Sequence, residues 1–248
     1  MKTGASELRE GVRDGIPICL GYFSVSMAYG MTAVLSGLPL PAAVMISLTN
    51  LTSAGQFAGT NLILAGGTWL ELAITMLVIN IRYFLMSLSM SQKVEEKMTS
   101  GQRLAVAFGI TDEIFAVAMK HPRALSAAYM AGLICVPVVG WVGGTFLGGA
   151  LTSLLPASIS NAFGIALYGM FIAVVVPAAK QARPVLFTAV LAVILSVVCY
   201  YTPALTFLSG GWSIIVITVI ASGAAAFLFP VPEETKGDSE KKKEGMEP

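Results

Sequence analysis

Glu71, Arg82, Asp112 and Glu113 are ionisable residues set within or beside long apolar segments. Arg82 lies in NIRYFLMSLS. A bare guanidinium there is costly in hydrocarbon, so it needs a carboxylate, backbone carbonyls or an anionic ligand. Asp112 and Glu113, in FGITDEIFAVA, are the nearest candidates by chain order among the acids in or beside the apolar segments that can reach it. Glu71 precedes Arg82 by about 16 Å of helix, so the two share a face but cannot touch. Beside Trp69 and Gly66-Gly67, Glu71 reads as interfacial and structural. Arg82 fits a substrate carboxylate, or an acid whose protonation couples transport. The plainer accounts are a structural salt bridge or a side chain snorkelling to the interface. Thr111-Asp112-Glu113 reads either as a helix N-cap or as a proton-accepting site, because desolvation favours the protonated carboxyl. The two acids are not distinguishable at this level.

A second polar cluster carries no charge. It is Ser47 to Thr60, SLTNLTSAGQFAGT. On one continuous helix Thr49, Ser53, Gln56 and Thr60 share a face, and Gly55 with Gly59 lets another backbone approach. A polar stripe is unfavourable against lipid, so it must face protein, a cavity or a solute. It serves either to hold a polar solute or to bond helices together.

These groups need elements that place them inside a bilayer. The chain has 248 residues, of which 56% are hydrophobic and 12% charged. Soluble domains carry about 25% charged residues. Residues 17–70, 124–179 and 184–232 are free of charge, far beyond the roughly 20 residues of a single crossing. The fold class is therefore all-α: a polytopic integral membrane protein with about 6–8 transmembrane helices. A net charge of +1 gives no bulk field for nucleic acid. Cys19, Cys135 and Cys199 are scattered, and His121 is the single histidine, so no metal site and no cofactor are expected. No Walker loop, nucleophile elbow or zincin motif appears.

Residues 1–15 read as an amphipathic cytoplasmic lead-in, 16–232 as a single transmembrane domain, and 233–248 as a disordered charged cytoplasmic tail. Spans are expected at 16–35, 70–91, 125–152, 160–179, 184–202 and 207–229. Segment 42–65 either crosses fully or forms a broken or re-entrant helix. Segment 104–119 is short for a crossing. The basic turns at 120–123 and 180–183 place both termini in the cytoplasm. Loop 92–103, with Lys93, Lys97 and Arg103, agrees only if 42–65 does not cross. Gly140, Gly144 and Gly148 form a smooth packing face, and Trp69, Trp141 and Trp212 read as interface anchors. A weak internal echo links 47–65 with 158–176.

The runs TSAGQFAG, NIRYFLMSLS and FGITDEIFAVA, in this order and spacing, resemble the AzlC-type large subunit of branched-chain amino acid exporters. Gly15-Ile16-Pro17 and SGLPLP fit as well, and the resemblance covers residues 10 to 230. It implies export of valine, leucine, isoleucine or methionine across the cell membrane, driven by an ion gradient. It also implies a small hydrophobic AzlD-type subunit as partner. The family's motif residues map onto Ser53, Gly55, Gln56, Asn80, Arg82, Asp112 and Glu113. The expected assignment is a non-enzymatic secondary transporter. Ser53, Gln56, Phe57, Asn80 and Arg82 would bind substrate, and Asp112 or Glu113 would couple protons. A scaffold subunit that moves no solute, or a channel for another small solute, is the alternative.

Overall fold

A computed structural model describes residues 4–152, 172, 175–202 and 211–230. Among them the chain is helical. The β contact recorded is an isolated parallel bridge between Val94 and Leu125. The elements are α1 (Gly4–Leu35), α2 (Leu40–Thr49), α3 (Ser53–Leu64), α4 (Trp69–Ser91), α5 (Ser100–Phe108), α6 (Asp112–Lys120), α7 (Ala127–Leu151), α8 (Arg183–Tyr201) and α9 (Gly211–Leu228). Of these, α1, α4, α7, α8 and α9 are long and apolar enough to cross a membrane. The expected span at 160–179 and the echo at 158–176 lie for the most part outside the described residues.

The chain divides into two compact units. The first comprises residues 1–174 and 210–215. Its axis is the pair α1 and α7, and glycine explains how close the two helices come. A Cβ added at Gly148 would stand 2.0 Å from the Met27 carbonyl oxygen, and one at Gly30 would stand 2.1 Å from that of Thr145. Gly11 meets the Tyr129 carbonyl in the same way. The glycine face at 140, 144 and 148 is thus a backbone-to-backbone seam, which is how membrane helices gain contact without a hydrophobic driving force. α1 is also longer than a crossing needs. At 32 residues it runs about 48 Å, so its charged first turns continue beyond the apolar span as one helix. Those turns are tied to the start of α7. Arg123 Nη2 donates to Glu10 Oε2 at 2.8 Å, and the Tyr129 hydroxyl donates to Asp14 Oδ2 at 3.0 Å.

Two apolar segments are interrupted. Between α2 and α3 the backbone is extended at Asn50 (φ −142°, ψ 112°) and Thr52 (φ −88°, ψ 105°). Asn50 Oδ1 accepts from the Thr52 N–H at 3.0 Å, offering the backbone a turn in place of a helical bond. Between α5 and α6 the chain passes through Gly109 and Ile110 to an extended Thr111 (φ −129°, ψ 172°). The sequence suggests the first interruption through its polar residues. The second is marked by a segment too short to cross and by Thr111-Asp112-Glu113 as a candidate helix start.

The second unit comprises residues 175–209 and 216–248. There α8 is apolar beyond Arg183 except for Thr188 and Ser196, and it buries none of its residues, as expected of a helix facing lipid. Phe187 and Phe229 pack with ring centroids 5.7 Å apart.

Candidate functional site

Both interruptions open onto one cavity of about 540 Å³ in the first unit. The first interruption contributes Leu51, Ser53 and Ala54, and the second contributes Thr111, Asp112 and Glu113. α4 adds Arg82 and Tyr83 from its middle turns. Apolar and aromatic walls come from α1, through Ile18, Tyr22 and Val25, and from Trp141 of α7. A second hollow of about 440 Å³ lies between the ends of α4 and α5. Its one charged group, Arg103, already donates to the carbonyls of Met98 and Glu95. Chemistry converges on the first cavity.

Arg82 finds its carboxylate across the cavity. Its Nη1 lies 2.8 Å from Asp112 Oδ2, and both side chains keep more than a third of their surface open. Its Nη2 donates to the Tyr83 hydroxyl at 3.2 Å, and its guanidinium carbon stands 4.9 Å from the centre of that ring. Glu113 has a different neighbour. The Tyr22 hydroxyl lies 2.5 Å from Glu113 Oε2, to which it donates, and 2.6 Å from Thr111 Oγ1. Among the described residues no cationic side chain forms an ion pair with Glu113.

α6 is fixed at both ends, and this aims the two acids. Thr111 caps its start by accepting from the Ile114 N–H at 3.4 Å. Asp112 and Glu113 then sit in the first turn, where the helix dipole favours negative charge. At the other end Lys93 Nζ donates to the carbonyls of Ala118, Met119 and His121, at 3.2, 2.6 and 2.5 Å. A cation on open carbonyls is the matching arrangement for a helix C-terminus. α3 differs at its start, because Thr52 makes no capping bond. Its first turn therefore lacks a capping side chain, and Ser53 and Ala54 of that turn line the cavity.

The sequence expectations divide at this point. Ser53, Arg82, Asp112 and Glu113 meet at the cavity. Gln56 does not line it. It is 1% exposed, accepts from Trp141 Nε1 at 2.9 Å and donates to Ser47 Oγ. Ser47 in turn shares a 2.6 Å hydrogen bond with Thr145. Gln56 thus joins α2, α3 and α7, and touches the cavity only through Trp141. Phe57 is buried at 8% exposure and packs edge-on against Tyr29 at 5.1 Å. Asn80 also lies behind the cavity wall. Its Nδ2 would stand 3.5 Å from a Cβ at Gly55, and its Oδ1 is buried without a hydrogen-bond partner.

The expected single polar face across Thr49, Ser53, Gln56 and Thr60 is corrected. It presumes one helix, and the extended residues Asn50–Thr52 break it. Thr49 bonds back to its own helix at Met45, and Thr60 bonds to the Tyr29 hydroxyl at 2.7 Å. Trp141 is corrected too. It is 2% exposed with an internal partner, so it is no interface anchor, whereas Trp69 is 86% exposed. Glu71 accepts from the backbone N–H groups of Gly211 and Trp212, at 2.6 and 3.3 Å, and so caps α9. Sequence reasoning missed Tyr22, Tyr83 and Trp141 as cavity residues. No local pattern marks them, since each is one aromatic among many on an apolar helix. Among the described residues no group of three metal-ligating side chains is present.

The family model "AzlC protein" matches residues 17–155, more than half the chain and all of the cavity. The inner membrane protein YgaZ of Escherichia coli K12 is 27% identical over 239 residues, covering 93% of this chain and 96% of that protein. An uncharacterised membrane protein of Archaeoglobus fulgidus is 28% identical over 69% of this chain and 76% of its own length. One from Helicobacter pylori is 30% identical over 45% of this chain and 50% of its own. No solved structure matches. The chain belongs to the AzlC family of membrane proteins.

Proposed function

We propose that this AzlC-family membrane protein is a secondary transporter that exports hydrophobic amino acids such as valine, leucine, isoleucine and methionine. The observation that carries this reading is the pairing of opposite charges with apolar walls in one cavity. Arg82 and the uncapped first turn of α3 suit a carboxylate, since a half-helix start presents N–H donors and positive potential. Asp112 and Glu113 suit an ammonium or a proton. Ile18, Val25, Leu51 and Trp141 suit a branched aliphatic chain. A volume of about 540 Å³ is within the roughly 300–1,000 Å³ typical of small-molecule sites.

In this reading the substrate's dipolar head lies between Arg82 and the acids of α6, and the two interruptions let α3 and α6 tilt against the paired α1 and α7. Proton coupling runs through Asp112 or Glu113. The AzlD-type partner is carried by family resemblance, and the uncovered apolar side chains of α4, among them Leu77, Phe84 and Leu88, leave area for it or for lipid. Both termini lie in the cytoplasm, following the basic turns at 120–123 and 180–183.

The test is a panel of radiolabelled amino acids in proteoliposomes, with and without the small subunit and with and without a pH gradient. Saturable movement of branched-chain amino acids, enhanced by the gradient, is expected. Movement of none of them, alone or with the partner, returns the protein to the scaffold reading. Unsaturable flux indifferent to pH returns it to a channel.

A further inference from the structure

We propose that the two acids of α6 have separate tasks: Glu113 exchanges a proton for the substrate's ammonium, while Asp112 stays the partner of Arg82. The inference rests on the transporter reading above and deepens it. The cavity wall carries one guanidinium against two carboxylates, so one negative charge is left over when all three are ionised. Geometry says which. Asp112 is engaged by Arg82 at 2.8 Å, and protonating it would leave the guanidinium without its carboxylate at membrane depth. Glu113 is held by a neutral hydroxyl, that of Tyr22, and meets no cation among the described residues. The titratable and charged groups facing it are Tyr22 from α1, Arg82 and Tyr83 from α4, and Asp112 on its own helix. α7 contributes Trp141, which does not titrate.

At membrane depth a carboxylate with no cationic side chain paired to it is a ready place for a cation or a proton. One carboxylate cannot hold the substrate's ammonium and a proton together. Export then proceeds with Glu113 ionised and the ammonium on it. The return proceeds with Glu113 protonated and the cavity empty. The proton taken up outside is released inside when the next ammonium arrives. Each amino acid exported moves one proton inward. Because the zwitterion carries no net charge, each cycle moves one positive charge inward, so the membrane potential drives export as well as the pH gradient.

The experiment measures the apparent KM for leucine against pH in proteoliposomes containing wild type, Glu113→Gln or Asp112→Asn. A parallel series measures inhibition of wild type by the α-hydroxy analogue of leucine. That analogue keeps the carboxylate and side chain but lacks the ammonium. In wild type the KM should rise about tenfold per pH unit on the acid side, as competition for one site requires, with kcat little changed. Inhibition by the hydroxy acid should not weaken on that side. Glu113→Gln should show a high, pH-independent KM and lose accumulation driven by the gradient, while counterflow persists at high leucine. Asp112→Asn should keep the acid-side slope. A flat wild-type KM, or a slope that survives in Glu113→Gln and vanishes in Asp112→Asn, overturns the assignment. A hydroxy acid that follows leucine's pH dependence does so too, and this arm uses wild type alone, whatever the fate of the variants. Wild type that moves no hydrophobic amino acid at all removes the transporter reading itself.

Discussion

The chain is interrupted twice within its apolar segments, and the two interruptions carry opposite chemistry. At Asn50–Thr52 the groups are neutral, and most of them are consumed internally. Asn50 bonds Thr52, and Ser47, Gln56, Trp141 and Thr145 bond one another across α2, α3 and α7. At Gly109–Thr111 the first turn of α6 brings two carboxylates to the cavity, with Thr111 capping the helix behind them. Both restart a helix after a threonine. Thr52 leaves the start of α3 uncapped, and Thr111 closes the start of α6. The neutral interruption is thus a braced frame whose one open edge is the α3 N-terminus. The charged one supplies the groups that can change protonation. A polar residue inside a membrane can equally be glue or ligand, and here the division falls between the two interruptions.

The largest effect expected from this contrast is at Arg82. Arg82→Ala removes the cation facing the charged interruption and leaves Asp112 without its partner. Losing a charge-assisted contact to the substrate carboxylate costs about 1.5–3 kcal/mol, so leucine transport should fall by about 10- to 100-fold. The amount of protein in the membrane should stay near wild type, as read by quantitative immunoblotting beside initial-rate export. Full transport by this variant would erase the distinction between the interruptions.

A smaller effect of the opposite kind is expected at Gln56. Gln56→Leu leaves the buried Trp141 N–H and the Ser47 hydroxyl short of partners, at about 1–3 kcal/mol. Thermal unfolding in detergent should shift downward, with the KM for leucine changed by less than about threefold, the difference tracing to a loosened Trp141. A large rise in KM with unchanged unfolding would instead make Gln56 a ligand, as its polar motif alone suggests.

Much of the charged half was readable in the sequence. Arg82 stands alone in an apolar run and calls for a carboxylate, backbone carbonyls or an anionic ligand, and Asp112, one of the two candidate acids, pairs with it. Of the two readings of Thr111-Asp112-Glu113, the helix start is present, with Thr111 as its cap. The neutral half is less legible, because its polar residues share a face only on one continuous helix. Helical periodicity assigns faces only while the helix continues, and Asn50–Thr52 ends it. Tyr22 and Trp141 were illegible for another reason. Their place at the cavity follows from the glycine seam between α1 and α7, a contact between residues more than a hundred positions apart. The same limit hid the capping of α9 by Glu71.

The central claim is that the cavity between the interruptions holds the amino acid, and thiol protection tests it most directly. In a background with Cys19, Cys135 and Cys199 replaced by alanine, Ser53→Cys would be modified by a small maleimide with and without leucine. Gly101→Cys, where nothing lies within 4 Å of an added Cβ, serves as the control. At leucine ten times its half-saturating concentration, modification at Ser53→Cys should slow about tenfold and that at Gly101→Cys should not change. A Ser53→Cys rate that leucine leaves untouched, in protein that still transports it, would place the substrate elsewhere.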